Sequence, residues 1–262
     1  MIDPKTKTRT PATEEVFGVS ERELTKRSRR NFFALIAGAV LSVGGWRWIN
    51  SRGDEDGTPG PYRRAFDLNR RLTGEALFSD RHLAPEFPLS RVKEIRVNGD
   101  IGLSGNVDEA SWRLQLAPRG AQGARRHLDM AAIRSLPKVE QTIEFKCVEG
   151  WSVVTNWGGV RLRDFTAQFA PGSEKASYVG LVTPDQDYYV GLDMPSALHP
   201  QTLLAYEKDG KPLTVDHGAP LRLVIPTKYG IKNLKRIGSI TYTDTRPADY
   251  WAEEGYDYYA AL

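Results

Sequence analysis

The sequence predicts an α+β body with mixed β-sheets and short helices. Three observations predict it: six short runs of strand-forming residues, few helical stretches between them, and no regular alternation of the two. The last argues against a doubly wound sheet. Hydrophobic residues are 40% and charged residues 26% of the 262, ordinary for a globular chain able to bury a sizeable core in one large domain or two small ones.

Taken in order, the chain begins with an address. From Lys26 to Gly45 it reads KRSRRNFFALIAGAVLSVGG, a basic block followed by an apolar run, the shape of an export signal. Ser28-Arg29-Arg30-Asn31-Phe32-Phe33 resembles the twin-arginine signal, which directs proteins exported already folded. A membrane anchor with adjacent arginines is the competing reading. No A-x-A-like cleavage site follows. The roughly 18 residues from Phe32 to Ile49 sit at the short end of what spans a hydrocarbon core. Basic residues before the run and Asp54, Glu55 and Asp56 after it place the body on the periplasmic side. The expectation is residues 1–49 as signal or anchor, 50–62 as a Gly-, Pro- and charge-rich linker, and 63–262 as the folded domain.

Within the body, KEIRVNG (93–99), SWRLQLAP (111–118), TIEFKCV (142–148), SYVGLVT (177–183), PLRLVIP (220–226) and IGSITYT (237–243) read as strands bounded by Gly, Pro or Asp. His127–Leu136 fits a short helix stopped by Pro137, and Ser196–Leu204 another helical turn. In TIEFKCV the two-residue period puts Ile143, Phe145 and Cys147 on one face and Glu144 and Lys146 on the other. The thiol therefore points inward at the strand's end, and the chain turns at Glu149-Gly150.

Cys147 is the only cysteine. Buried cysteine commonly acts as a small hydrophobe. In an exported protein, however, a single thiol has no intrachain disulfide partner, and a soft thiolate bound to a metal is the alternative. Other chemistries lack their motifs. His82, His127, His199 and His217 are scattered without H-E-x-x-H or a Cys/His cluster, and there is no G-x-S-x-G, P-loop or G-x-G-x-x-G. A net charge of +3, with much of the excess in the first 30 residues, gives no basic stripe for nucleic acid.

The flanks of the cysteine carry a resemblance. Cys147-Val148-Glu149-Gly150-Trp151-Ser152, followed by Asn156-Trp157-Gly158-Gly159-Val160-Arg161-Leu162, resembles the cysteine segment of the sulfite oxidase superfamily of molybdopterin enzymes. The C-V-E-x-W-S form is similar to that of exported protein-methionine-sulfoxide reductases. A second block, LLAYEKDGKPLTVDHGAPLRLVIPTKYGIKNLK (203–235), resembles the sulfite oxidase branch. The likeness covers roughly residues 63–250 and implies the sulfite-oxidase-type fold, with Cys147 as protein ligand of molybdenum in a molybdenum-molybdopterin cofactor.

The resemblance also implies the remaining site. Arg222 matches the arginine that grips the cofactor phosphate, where a guanidinium fork suits a dianion. His217 matches a cofactor-contacting histidine of the oxidase branch, in a place the reductases usually fill with Asn. Asn233, Leu234 and Lys235 match the phosphate-side turn, and Thr183 a cofactor contact. Arg81 and His82, in Phe78-Ser79-Asp80-Arg81-His82, match loosely the segment lining the pterin. Tyr188 and Tyr189 lie where oxidases place an active-site tyrosine; Tyr189 is taken as that residue.

The implied activity is two-electron oxygen-atom transfer at Cys-ligated molybdenum, reducing small-molecule or protein-bound S-oxides. Sulfite-type oxidation, or a non-catalytic periplasmic binding or scaffold protein keeping the fold, are the alternatives. Neither a haem domain nor the immunoglobulin-like dimerisation domain of sulfite oxidases is recognisable. A separate electron-transfer partner, haem- or quinone-linked and membrane-bound, is therefore expected.

Overall fold

The computed structural model describes residues 21–55, 58–76, 79, 81–105, 107–121 and 123–262. Contacts divide the chain into two units, residues 1–53 and 54–262. In the first, α1 (Glu21–Asn50) is apolar over most of its length, yet its large side chains are exposed, Leu41 at 75%. Its Thr25–Asn50 stretch is long and apolar enough to cross a membrane, and none of that stretch is buried, unlike the core helix of a soluble domain.

The second unit opens with a ribbon of β1 (Asp54–Glu55) and β2 (Thr58–Pro59) running into α2 (Gly60–Ala76). β3 (Leu114–Ala117), β4 (Arg126–Leu128) and α3 (Met130–Arg134) precede a long hairpin of β5 (Val139–Lys146) and β6 (Ser152–Arg161). α4 (Leu162–Phe169) leads to a second hairpin, β7 (Tyr178–Val182) and β8 (Tyr189–Asp193), and then to α5 (Met194–Ala197). The chain finishes with β9 (Leu203–Lys208), β10 (Lys211–Pro212), β11 (Arg222–Val224), β12 (Ser239–Thr243) and α6 (Tyr250–Glu253).

Two five-stranded sheets result. One has the order β10-β9-β6-β5 with β11 also on β9, antiparallel throughout. The other has the order β4-β3-β12-β7-β8 and is mixed, since β12 runs parallel to β3 and antiparallel to β7. The α+β class with short helices is observed.

The main core is shared by both sheets: Leu114 and Leu116, Val179 and Leu181, and Ile240 from the mixed sheet meet Val160, Leu204 and Leu223 from the other. Each such side chain contributes about 1.5–3 kcal/mol when fully removed from water. The strand period sends alternate residues to the far face of the antiparallel sheet, where Ile143, Trp157, Leu203, Ala205 and Val224 form a smaller cluster. Arg222 shares its parity with Val224 and emerges on that far face. A register shift between Gly158 and Gly159 lets β6 follow β9, and a Cβ on Gly159 would lie 2.2 Å from the Leu204 carbonyl oxygen, so only glycine fits.

Three segments differ from expectation. The helical turn expected within Ser196–Leu204 lies earlier, in α5, and Leu203 and Leu204 already belong to β9. KEIRVNG is not a strand: the Lys93 amide bonds Val154, but the carbonyls of Asn98 and Gly99 are taken by the Lys235 ammonium and not by a neighbouring strand. The helix expected from His127 starts only at Met130. Residues 126–128 pair with β3, and the Asp129 side chain accepts from the Ala132 amide as N-cap.

Candidate active site

Cys147 is the first residue after β5 and is 9% exposed. Its amide donates to the Trp151 carbonyl at 2.9 Å and its carbonyl accepts from Gly150 at 3.1 Å. That tight turn needs a left-handed residue, and Gly150 supplies it at φ +86°. The inward face predicted from TIEFKCV and the turn at Glu149-Gly150 are both present. The Asn98 side-chain amide donates toward Sγ at 3.9 Å.

Sγ faces a cleft enclosing about 780 Å³, solvent at its mouth included. The lining has a polar part, Asn98, His217, Arg222 and Lys235. It also has an apolar part, Phe145, Trp151, Tyr188, Ile231 and Trp251.

The polar part is cationic. Arg222 is 3% exposed and lies 4.5 Å over the Trp157 ring, the residue its strand parity points to. Among the described residues its guanidinium donates only to backbone carbonyls, His217 at 3.0 Å and Asn233 at 3.3 Å among them. Burial alone lowers its pKa, to about 10. Lys235 donates to the carbonyls of Asn98 and Gly99, both at 2.9 Å. Burial first, and then Arg222, lowers its pKa to about 8. The imidazole of His217 is pushed toward its neutral form by burial first, then by Lys208, Arg222 and Lys235. Among the described residues no carboxylate forms an ion pair with Arg222 or Lys235. A buried cation without a counter-ion is unfavourable, so this part of the lining is complementary to an anion.

The apolar part is equally fixed. Trp151 donates from Nε1 to Glu149 at 2.8 Å and packs against Phe145, ring centres 5.9 Å apart. The hydrogen bond from Trp151, followed by one from Asn98, holds the exposed Glu149 carboxyl below its usual range. Arg96, an exposed lining residue, sits 5.6 Å over the Trp151 ring. Gly230 lets the chain approach closely here, since a Cβ would meet the Phe145 ring at 2.6 Å.

Of the residues singled out in the sequence, Cys147, His217, Arg222, Asn233 and Lys235 line this one cleft. Asn233 frames it through the backbone, because its side chain is committed to the Ile225 amide and the Tyr229 carbonyl. Leu234 is fully buried in the main core, its carbonyl accepting from Leu223. Thr183 is 2% exposed; it bonds Asp185 and abuts Gly102, beside the cleft-lining Gly99 and Ile101. Tyr188 lines the cleft and donates to the Ile231 carbonyl at 2.5 Å, its phenol pKa raised by burial. Tyr189 is turned to the other side, with its hydroxyl on Glu253. Arg81 and His82 are exposed and outside the lining; Phe78 and Asp80 of that segment lie outside the described residues.

Sequence reasoning missed Asn98, Arg96, Ile231 and Trp251 as cleft residues. Asn98 and Arg96 stand in the run taken for a strand, and only the carbonyl bonds of Lys235 reveal that this run is a cleft-lining loop. Among the described residues no group of three or more His, Cys, Asp or Glu could hold a metal ion. Cys147 thus offers one soft donor, and an ion there must bring its other donors with it.

The family model for the oxidoreductase molybdopterin-binding domain matches residues 101–251. The chain is 36% identical to a putative protein-methionine-sulfoxide reductase subunit YedZ1 of Azospira oryzae, over 70% of each chain. It is 32% identical to the protein-methionine-sulfoxide reductase catalytic subunit MsrP of Campylobacter jejuni, over 89% of this chain and 80% of the relative. Among solved structures, the sulfane dehydrogenase SoxCD of Paracoccus pantotrophus superposes with a TM-score of 0.48 at 17% identity, over 55% of this chain and 41% of that one.

Proposed function

Because the chain belongs to the oxidoreductase molybdopterin-binding domain family, and is thereby a molybdenum-dependent oxidoreductase, we propose that its cleft reduces S-oxides with Cys147 as the protein ligand of the metal. The residues present fit the cofactor. One thiolate suits a metal whose remaining soft donors come from a pterin dithiolene, and a buried guanidinium that has no ion-pair partner among the described residues, with an ammonium beside it, suits a phosphate. When bound, the cofactor supplies two-electron oxygen-atom transfer.

In this reading Arg222 and Lys235 hold the phosphate, and the Asn233-Leu234-Lys235 turn carries the ammonium into place. Asn98 donates toward the Cys147 sulfur while its own carbonyl braces Lys235. His217 and Thr183 shape the same side. Tyr188, whose phenol lines the cleft, takes the active-site place assigned in sequence to Tyr189. Arg81 and His82 stand outside this lining and take no part in the reading.

The observation that carries the substrate class is the aromatic part of the lining. Cys147 shares its cleft with cationic side chains that an anionic cofactor would occupy and with an apolar group suited to the carbon part of an S-oxide, such as an oxidised methionine side chain. The relatives' names, protein-methionine-sulfoxide reductases, agree with it. The reaction consumes two electrons and two protons per sulfoxide and gives a thioether and water; the electrons come from a separate carrier protein. A second reading, oxidation of sulfite, draws on Arg96, an exposed cation of the lining that would attract an anionic substrate.

Residues 1–49 we assign as a twin-arginine signal kept as a membrane anchor, residues 50–62 as its link, and 63–262 as the periplasmic catalytic domain. The unburied α1 and the Arg29-Arg30 pair support this assignment. Metal analysis of exported protein followed by turnover on methionine sulfoxide and on sulfite tests the function. Stoichiometric molybdenum with S-oxide turnover is expected. Loaded protein that turns over sulfite alone would overturn the reductase reading.

A further inference from the structure

α2 reads GPYRRAFDLNRRLTGEA, with four arginines against Asp67 and Glu75. Its helical period gathers Tyr62, Ala65, Phe66, Leu68 and Leu72 on one side. In a soluble domain that side would face the core. Here it faces out: Tyr62 is 37%, Phe66 36%, Leu68 56% and Leu72 60% exposed. The opposite side grips the body, where Arg63 is 1% exposed and donates to the Thr58 hydroxyl at 3.3 Å and the Ala252 carbonyl at 3.4 Å. An inverted amphipathic helix of this kind marks an interaction surface.

The chain itself indicates the occupant. α1 contains the membrane-length apolar stretch, and nine residues separate Asn50 from Gly60, a link that reaches only about 30 Å even when fully extended. An exposed Arg64 beside the stripe adds the cationic flank that anionic headgroups attract. We infer that α2 lies in the plane of the lipid interface, with Phe66, Leu68 and Leu72 in the boundary between headgroups and acyl chains. This rests on α1 being retained as an anchor. It also bears on the cleft: Arg63 bonds α6 at Ala252, and the neighbouring Trp251 belongs to the apolar part of the lining. Lipid contact at α2 would hold that part close to the membrane, where a membrane-bound electron carrier resides.

The test uses the full-length protein in vesicles of phosphatidylcholine and phosphatidylglycerol, some carrying nitroxide-labelled lipid. Cys147 is the sole native cysteine and is buried, so an introduced cysteine is labelled selectively, with the parent protein as background. An environment-sensitive fluorophore is placed in Leu41→Cys within α1, Leu68→Cys on the stripe, and Gln168→Cys on the exposed side of α4. The label at 41 should be quenched by deep nitroxides. At 68, blue-shifted emission and loss of most intensity to shallow nitroxides are expected, with neither change at 168. Quenching at 41 without quenching at 68 overturns the interfacial helix while leaving the anchor, and a protein partner would then be what covers the stripe. No quenching at 41 removes the anchor and the proposal together. A Phe66→Asp/Leu72→Asp background should abolish the signal at 68; its persistence there would also overturn the stripe's role.

Discussion

Cys147 is fixed chiefly by main-chain bonds to Trp151 and Gly150, so its side chain can be changed without loosening the turn. Cys147→Ser should therefore keep the circular dichroism of the parent while molybdenum content and turnover collapse, because a hydroxyl is a harder and weaker ligand than a thiolate. Near-parental turnover would remove the cysteine from the metal. Arg222 is the opposite case, a side chain whose proposed role rests chiefly on its charge. Deleting a charge-assisted hydrogen-bond partner costs about 1.5–3 kcal/mol, or roughly one to two orders of magnitude in cofactor affinity. Arg222→Ala should emerge depleted of molybdenum, with its loaded fraction showing an unchanged KM. Full loading with a greatly raised KM would place Arg222 against substrate instead. Circular dichroism guards against simple misfolding, since the variant also uncovers Trp157. At this scale the sequence was most legible at Cys147, whose inward position and following turn the structure has. It was least legible where neighbours compete: nothing in Tyr188-Tyr189 says which ring faces inward until β8 is paired with β7 and the first phenol is seen on Ile231.

Elements were readable when their partners did not matter. TIEFKCV announces its inward face through strict alternation, and β5 keeps it because the hairpin to β6 is local. KEIRVNG alternates too, but its ladder partner is replaced by a lysine 137 residues away, which no local pattern could reveal. The Gly158–Gly159 bulge is a similar long-range demand. Gly159→Ala would drive a methyl into the Leu204 carbonyl, and overpacking of this kind costs about 1–3 kcal/mol or more. A thermal midpoint lowered by several degrees is expected, and an unchanged midpoint would mean that β9 yields freely. For α1, Arg29→Lys with Arg30→Lys preserves charge while removing the paired guanidinium groups. Cofactor-loaded protein should then accumulate in the cytoplasm, as cell fractionation would show. Normal export would make the route a general one.

Across the whole molecule, the proposed phosphate site at Arg222 and Lys235 predicts that cofactor loading is tied to stability and to pH. In unfolded chain Lys235 titrates near the ordinary lysine value, roughly 10.4. In the folded protein burial, aided by Arg222, lowers it to about 8. Between those values the unfolded state binds more protons than the folded one, so this group makes stability rise with pH there. Below about 8 the ammonium is charged in both states and its unfavourable burial is fully present. Tyr206, Tyr242 and Tyr258, held up by burial, work in the opposite sense above pH 10, and the buried Lys228 and Lys232 in the same sense as Lys235. All of these are common to a Lys235→Met variant, so the difference between the two proteins isolates Lys235. Metal-free parent protein should gain thermal stability relative to Lys235→Met as pH is raised from 8 to 10. The gain should be modest, because Lys235 is only partly buried and solvent screens it. An anionic cofactor restores the charged form and pulls the lysine pKa back up, so in loaded protein the gain should vanish. Calorimetric midpoints of both proteins, with and without cofactor, across that window decide the matter. Parallel curves in the metal-free state would mean that Lys235 carries no unbalanced charge and that the phosphate is held elsewhere.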